Sequence, residues 1–93
     1  MARTKAYKIG YDIGYQAGTD APDEDIINDL CKGMRVSEIA DETWEVWIQY
    51  LPVFPLERYL KEYYGLKGTE QQAEDFMNGW LDGFVDAVIA RIK

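Results

Sequence analysis

Apolar residues recur along this chain at intervals of three and four positions, which is the spacing of α-helices. Glycine and proline interrupt the pattern at the points where helices end or begin. The predicted helices cover residues 3–17, 22–32, 37–51, 55–64 and 69–92. We therefore predict an all-α fold, a small bundle of about five helices, as one helical domain over residues 1–93.

The segment 37–51 permits two assignments. One set of residues alternates as it would along a strand: Trp44, Val46, Ile48 and Tyr50. Another set has helical spacing: Ala40, Trp44, Trp47, Ile48 and Leu51. Because no other segment offers a partner strand, we assign a helix that Pro52 ends.

Glycine and a capping motif predict several helix ends. Gly18, Gly33 and Gly65 each follow the last apolar position of a predicted helix, where glycine commonly takes a left-handed conformation. Thr69 precedes the last helix, and Gln72 three residues later completes a capping box.

The first and last predicted helices share a four-residue repeat of aromatic residues and glycine. It reads AYKIGYDIGYQAG at residues 6–18 and DFMNGWLDGFVDA at residues 75–87. Positions four apart lie above one another on a helix, so the glycines form a groove beside an aromatic ridge. Each interior glycine costs about 1 kcal/mol relative to alanine, which close helix packing can offset. We predict that the two helices pack face to face through these residues: Gly10, Gly14, Gly79, Gly83, Tyr11 and Trp80.

Two alternatives exist for this repeat. The glycines could only relieve crowding beneath other helices, or the tyrosines could form an aromatic face that binds a ligand. Membrane-spanning helices also pack through repeated small residues, but charged residues within both segments oppose that interpretation: Lys8, Asp12, Asp82 and Asp86.

The chain has a net charge of −7, and the charge is unevenly distributed. Residues 20–45 carry nine acidic and two basic side chains, whereas residues 1–19 carry one acidic and three basic. Nucleic-acid binding requires cations that displace counterions, so this balance opposes nucleic acid and favours a basic protein partner. The sequence has one cysteine and no histidine, which excludes an internal disulfide and Cys/His zinc sites. It also has no long apolar run, which opposes a secretory signal or a membrane span. We expect a cytoplasmic protein.

The segment LCKGMRVSEIA, residues 30–40, resembles the end of the first helix, the turn and the start of the second helix in bacterial helix-turn-helix proteins. The matching residues are Leu30, Gly33, Met34, Glu38, Ile39 and Ala40. The resemblance covers the eleven residues 30–40 and implies helix-turn-helix geometry. The next segment, DETWEVWIQYLPVFP, has three acids, two tryptophans and no cation, whereas a recognition helix presents polar and basic side chains to DNA. A degenerate helix-turn-helix regulator is therefore only an alternative function.

The acidic residues complete no recognisable metal motif, and common catalytic groups are missing. Asp20, Asp23 and Asp25 lack the glycine and glutamate of a calcium loop, and no E-x-x-H motif accompanies the other carboxylates. No histidine is available as a general base, and neither a nucleophile elbow nor a phosphate loop occurs. Cys31 lies in an apolar stripe, where we expect a buried, inert thiol. We expect no metal, no cofactor and no enzymatic activity; an enzyme that uses carboxylates and tyrosines alone is the alternative.

The remaining class is a protein-binding module, with its candidate surface within residues 38–47. Trp44 and Trp47 lie three residues apart amid four acids, as in an interface hot spot with a charged rim. Those acids are Glu38, Asp41, Glu42 and Glu45. We expect an adaptor or inhibitor that binds a basic protein, by analogy with small acidic proteins of phages and mobile elements that mimic nucleic-acid charge. The alternatives are that both tryptophans fill the core, or that the protein is a structural homodimer.

Overall fold

The computed structural model describes residues 3–92 and contains five α-helices. They are α1 (Lys5–Asp20), α2 (Asp23–Cys31), α3 (Val36–Ile48), α4 (Leu56–Tyr64) and α5 (Glu70–Ile92). No strand occurs within residues 3–92, so the predicted all-α fold is confirmed, as is the choice of a helix for α3.

α1 and α5 form the principal helix pair, and they meet through their glycines. The glycines buried in this contact are Gly10, Gly14, Gly18, Gly79 and Gly83. A Cβ atom added at Gly14 would lie 2.0 Å from the carbonyl oxygen of Trp80, and one at Gly79 would lie 2.1 Å from that of Tyr7. The two backbones are therefore in direct contact, which confirms the predicted packing through glycine grooves. The glycine Cα–H groups face carbonyl oxygens, an arrangement that supplies weak Cα–H···O hydrogen bonds.

The α1–α5 contact is parallel and internally symmetric. Gly10 faces the carbonyl of Phe76, and Gly79 faces the carbonyl of Tyr7. Gly79 follows Gly10 by 69 residues, and Phe76 follows Tyr7 by the same 69 residues. Each contact therefore repeats the other with the roles of α1 and α5 exchanged, as in a parallel dimer of identical helices.

The prediction that Gly18 ends the first helix is wrong. α1 continues to Asp20, and a Cβ atom at Gly18 would lie 2.8 Å from the Cβ of Ala87 on α5. Gly18 is thus the third interface glycine of the four-residue repeat. α1 ends where Ala21 precedes Pro22, because a residue before proline is disfavoured in the helical conformation.

Aromatic side chains on the other faces of α5 form the core with α3 and α4. The largest fully buried side chains are Trp80, Phe76, Phe84, Leu60 and Val88. Four of the five belong to α5, so α5 is the central helix that contacts α1 on one side and α3 and α4 on another.

The prediction of a buried Cys31 thiol is wrong, and Ile27 of the same helix is exposed too. Ile26 is buried and Leu30 half-buried, whereas Ile27 is 56 % exposed and Cys31 is also exposed. Ile27 follows buried Ile26 by one position, and Cys31 follows half-buried Leu30 in the same way, which is a rotation of about 100° around the helix. This short helix contacts the protein with only one narrow face.

The predicted helix ends at two glycines and at Thr69 are confirmed. Gly33 and Gly65 have φ values of +86° and +66°. The Gln72 amide N–H donates to Thr69 Oγ1 at 3.1 Å, and the Thr69 amide N–H donates to Gln72 Oε1 at 3.3 Å. Both bonds of the capping box are therefore present.

Arg91 joins the ends of three helices. Its guanidinium donates to the carbonyl oxygen of Gly18 near the end of α1, at 2.7 Å, and forms an ion pair with Asp23 in the first turn of α2. The positive charge lies at the negative end of α1, where it is favourable.

Within residues 3–92, no helix combines the length and the apolar character that crossing a bilayer requires.

Candidate functional site

The predicted protein-binding residues lie on two different sides of α3. The exposed side carries the acids Glu38, Asp41, Glu42 and Glu45. At 3.6 residues per turn these four positions fall within an arc of about 100°. Trp44 and Trp47 lie on the opposite side of the helix, toward α5. The structure therefore brings the carboxylates together and separates them from the indole rings.

Trp44 and Trp47 are half-buried at the edge of the core. Their rings stack on each other with centroids 5.5 Å apart. Trp44 meets Trp80 edge-on at 5.4 Å, and Trp47 stacks on Phe76 at 5.8 Å. The pair thus extends the aromatic core toward solvent and has the side chains of α5 as its nearest partners.

An exposed apolar residue not predicted as part of the surface adjoins the acids, and an exposed tyrosine follows in the turn after α3. Val46 is 55 % exposed on the flank of the acidic arc, beside Glu42. Tyr50 is 81 % exposed, four residues further on in the turn after α3. The strand-like alternation Val46–Ile48–Tyr50 obscured them, because it groups these two exposed residues with half-buried Ile48. We refer to the four acids with Val46 and Tyr50 as the α3 face.

The carboxylates of the α3 face are not neutralised by neighbouring basic side chains. Glu38 accepts a hydrogen bond from the Arg35 amide N–H at 3.0 Å, which fixes the start of α3. Among residues 3–92, the ion pairs are Arg58–Glu62 and Arg91–Asp23, neither of which involves the α3 face. Over the same residues, no three acidic or cysteine side chains lie close enough together to hold a metal ion. The charge of the α3 face is therefore free to act on another molecule.

A second polar surface joins α1 and α5. The Tyr7 hydroxyl donates to Asp82 Oδ2 at 2.5 Å, and the Tyr11 hydroxyl donates to Asp86 Oδ2 at 2.5 Å. Each tyrosine precedes its aspartate by 75 residues. That constant separation, in two segments with the same four-residue repeat, is the signal from which the pairs could have been found.

An open groove lies beside these bonds. It has a volume of about 330 Å³ and is lined by Arg3, Tyr7, Lys8, Tyr11, Asp12 and Asp86. We refer to it as the tyrosine groove. The Tyr7 and Tyr11 rings stack with centroids 6.3 Å apart, and the guanidinium carbon of Arg3 lies 4.4 Å from the centre of the Tyr7 ring. This surface corresponds to the aromatic face that the sequence analysis gave as an alternative use of the tyrosines.

The protein holds several tyrosine protons tightly. Hydrogen bonding to Asp86, together with burial, raises the pKa of Tyr11 to about 12. Burial and the hydrogen bond to Asp82 raise the pKa of Tyr7, and burial and a contact with Tyr64 raise the pKa of Tyr59. In each case the environment favours the neutral phenol over the phenolate.

We expect the free energy of unfolding to decrease as the pH rises from 10 toward 12, because the unfolded chain releases the Tyr11 proton near 10.0 and the folded protein near 12. Below pH 10 the contribution is fully present. Urea unfolding at pH 9, 10 and 11 measures it, and Tyr11→Phe should make the decrease shallower. Tyr50→Phe, at an exposed position, is the matched control. An unchanged pH dependence in Tyr11→Phe would contradict the proposed linkage.

Comparison with known proteins adds no functional information, since no protein-family model, curated protein or solved structure matches this chain.

Proposed function

We propose that this chain is a non-catalytic protein-binding module, of the adaptor or inhibitor type, that binds a basic protein through the α3 face. One observation carries the proposal: four exposed carboxylates share one side of α3 with exposed Val46, and exposed Tyr50 follows in the turn after the helix. Exposed apolar area next to charge resembles the centre and rim of a protein interface.

The charge of the chain supports a basic partner. The net charge is −7, and residues 20–45 contribute nine of its acidic side chains. Such a surface accelerates association with a cationic protein through long-range attraction. A partner that ordinarily binds phosphates would have its cationic surface occupied by carboxylates, which supports inhibition by charge mimicry. Because Cys31 is a free, exposed thiol, we place the protein in the reducing cytoplasm.

The same face opposes the alternative of a DNA-binding regulator. A four-residue connection with left-handed Gly33 joins α2 to α3, consistent with the helix-turn-helix resemblance. The outer side of α3 would then face DNA, where its carboxylates would repel phosphates. The absence of histidine from the sequence supports a non-catalytic role.

The test is affinity capture from native lysate with the parent and with a triple variant, Glu38→Gln, Glu42→Gln and Glu45→Gln. We expect the parent to retain a basic protein at low salt, and both added salt and the triple variant to weaken that retention. The control is Glu24→Gln with Glu70→Gln and Glu74→Gln, which removes the same charge from exposed positions on α2 and α5. Equal capture by the two triple variants would mean that the α3 face is not the binding surface.

A structural homodimer is the second candidate, favoured by apolar side chains on the last turns of α5. Ile92 is 53 % exposed, and Ile89, three residues earlier on the same side, is also exposed. Such residues are common in self-complementary interfaces. Light scattering of the parent and of Ile92→Asp tests it: a dimer that becomes a monomer supports the homodimer, and a monomeric parent excludes it.

A further inference from the structure

We propose that the tyrosine groove between α1 and α5 is a binding site for a guanidinium group, the charged end of an arginine side chain. The groove belongs to other helices than the α3 face, so the proposal goes beyond the function proposed above. It depends on the ring faces, the carboxylates and the position of Arg3.

The wall of the groove has the chemistry that holds a planar cation. Tyr7 and Tyr11 present stacked rings, whose faces carry negative electrostatic potential. Asp12 and Asp86 also line the groove, and Asp82 adjoins it as the acceptor of the Tyr7 hydroxyl. A guanidinium stacks on an aromatic face and donates in its plane to carboxylates, so both features match one ligand.

A guanidinium from the chain itself already occupies part of the groove. The Arg3 side chain lies over the Tyr7 ring, with its guanidinium carbon 4.4 Å from the ring centre. Arg3 precedes Thr4, the residue that caps α1, and is exposed. Its side chain therefore shows that the groove accepts this group, and it is an internal competitor that an incoming arginine must displace.

The groove is held in shape before any ligand binds. The hydroxyls of Tyr7 and Tyr11 are fixed by their hydrogen bonds to α5, and the helix backbones are in contact beneath them. The raised pKa values of both tyrosines keep the rings neutral. Asp12 lies one helical turn from Lys8 and offsets its positive charge. Little ordering is left for the ligand to induce.

The other ligand class to consider is an anion held by Arg3 and Lys8. Two carboxylates line the same groove, and the ring faces repel negative charge, so the surroundings oppose an anion. The experiment includes this class as a competing outcome.

The test is an NMR titration of the full chain with N-acetyl-arginine amide, with its citrulline analogue and with inorganic phosphate. Citrulline has nearly the shape of arginine without the charge. We expect arginine to shift the backbone amides of Tyr7, Lys8, Tyr11 and Asp12, and citrulline to leave them unchanged. Arg3→Ala should bind arginine about threefold more tightly, since a cation–π competitor of about 0.5–1 kcal/mol is removed.

Asp86→Asn tests the carboxylate while leaving an acceptor for the Tyr11 hydroxyl. We expect it to weaken arginine binding by about threefold or more, since a charge-assisted hydrogen bond becomes a neutral one. Glu24→Gln makes the same change of net charge at an exposed position on α2 and should have no effect. Weaker binding in Arg3→Ala, equal shifts with citrulline, or stronger shifts with phosphate would each overturn the proposal.

Discussion

Gly14→Ala is expected to lower the free energy of unfolding by about 2 kcal/mol and the melting temperature by roughly 10 °C. The new Cβ would lie 2.0 Å from the carbonyl oxygen of Trp80, so α1 and α5 must move apart along their contact. Overpacking of this kind costs about 3 kcal/mol, and the better helix propensity of alanine returns about 1 kcal/mol. Thermal melting by circular dichroism measures the change.

Two other glycines provide a graded control. At Gly18 the added Cβ would lie 2.8 Å from the Cβ of Ala87, so the loss should be smaller than at Gly14. At Gly65 no atom lies within 4 Å of the added Cβ, and only the left-handed backbone is strained, at about 1 kcal/mol. If Gly14→Ala melts no lower than Gly65→Ala, the contact between the backbones does not limit stability.

Trp80→Ala should have the larger effect, a loss of about 3–5 kcal/mol. The Trp80 ring is fully buried and contacts the rings of Trp44, Trp47 and Phe84. Because domains of this kind are stable by only about 5–15 kcal/mol, the variant should be unfolded in part at 37 °C. Urea unfolding followed by far-UV circular dichroism measures the loss. Tyr50→Ala, at a highly exposed position, should change stability by less than about 0.5 kcal/mol, and similar values for both variants would contradict this description of the core.

The sequence predicts the helices and the α1–α5 contact because both depend on short repeats. A glycine at every fourth position, as at Gly10 and Gly14, already defines a groove on a helix. The matching glycines Gly79 and Gly83 identify the helix that can approach it. Local periodicity therefore contains the information for the largest interface of the fold.

Which side chains are exposed, and which of them lie together on one surface, could not be predicted in the same way. Trp44 and Glu45 are neighbours in sequence, about 100° apart around α3, yet Trp44 is half-buried and Glu45 is exposed, because the rotation of that helix is set by its contacts with α5. Whether Ile27 is covered depends similarly on how much of α2 the bundle reaches. The bond between Tyr11 and Asp86 requires both helix rotation and register, which no single segment specifies.

The α1–α5 contact also has a consequence for the order of events during synthesis. The 49 residues between Asp20 and Glu70 separate the two helices, and α5 follows them. At about 5–20 residues per second, roughly 4–15 s pass between the synthesis of α1 and that of the last turn of α5. An isolated segment of 16 residues that contains three glycines is a marginal helix in water. α1 therefore emerges without its partner and can pack against it only when α5 becomes available.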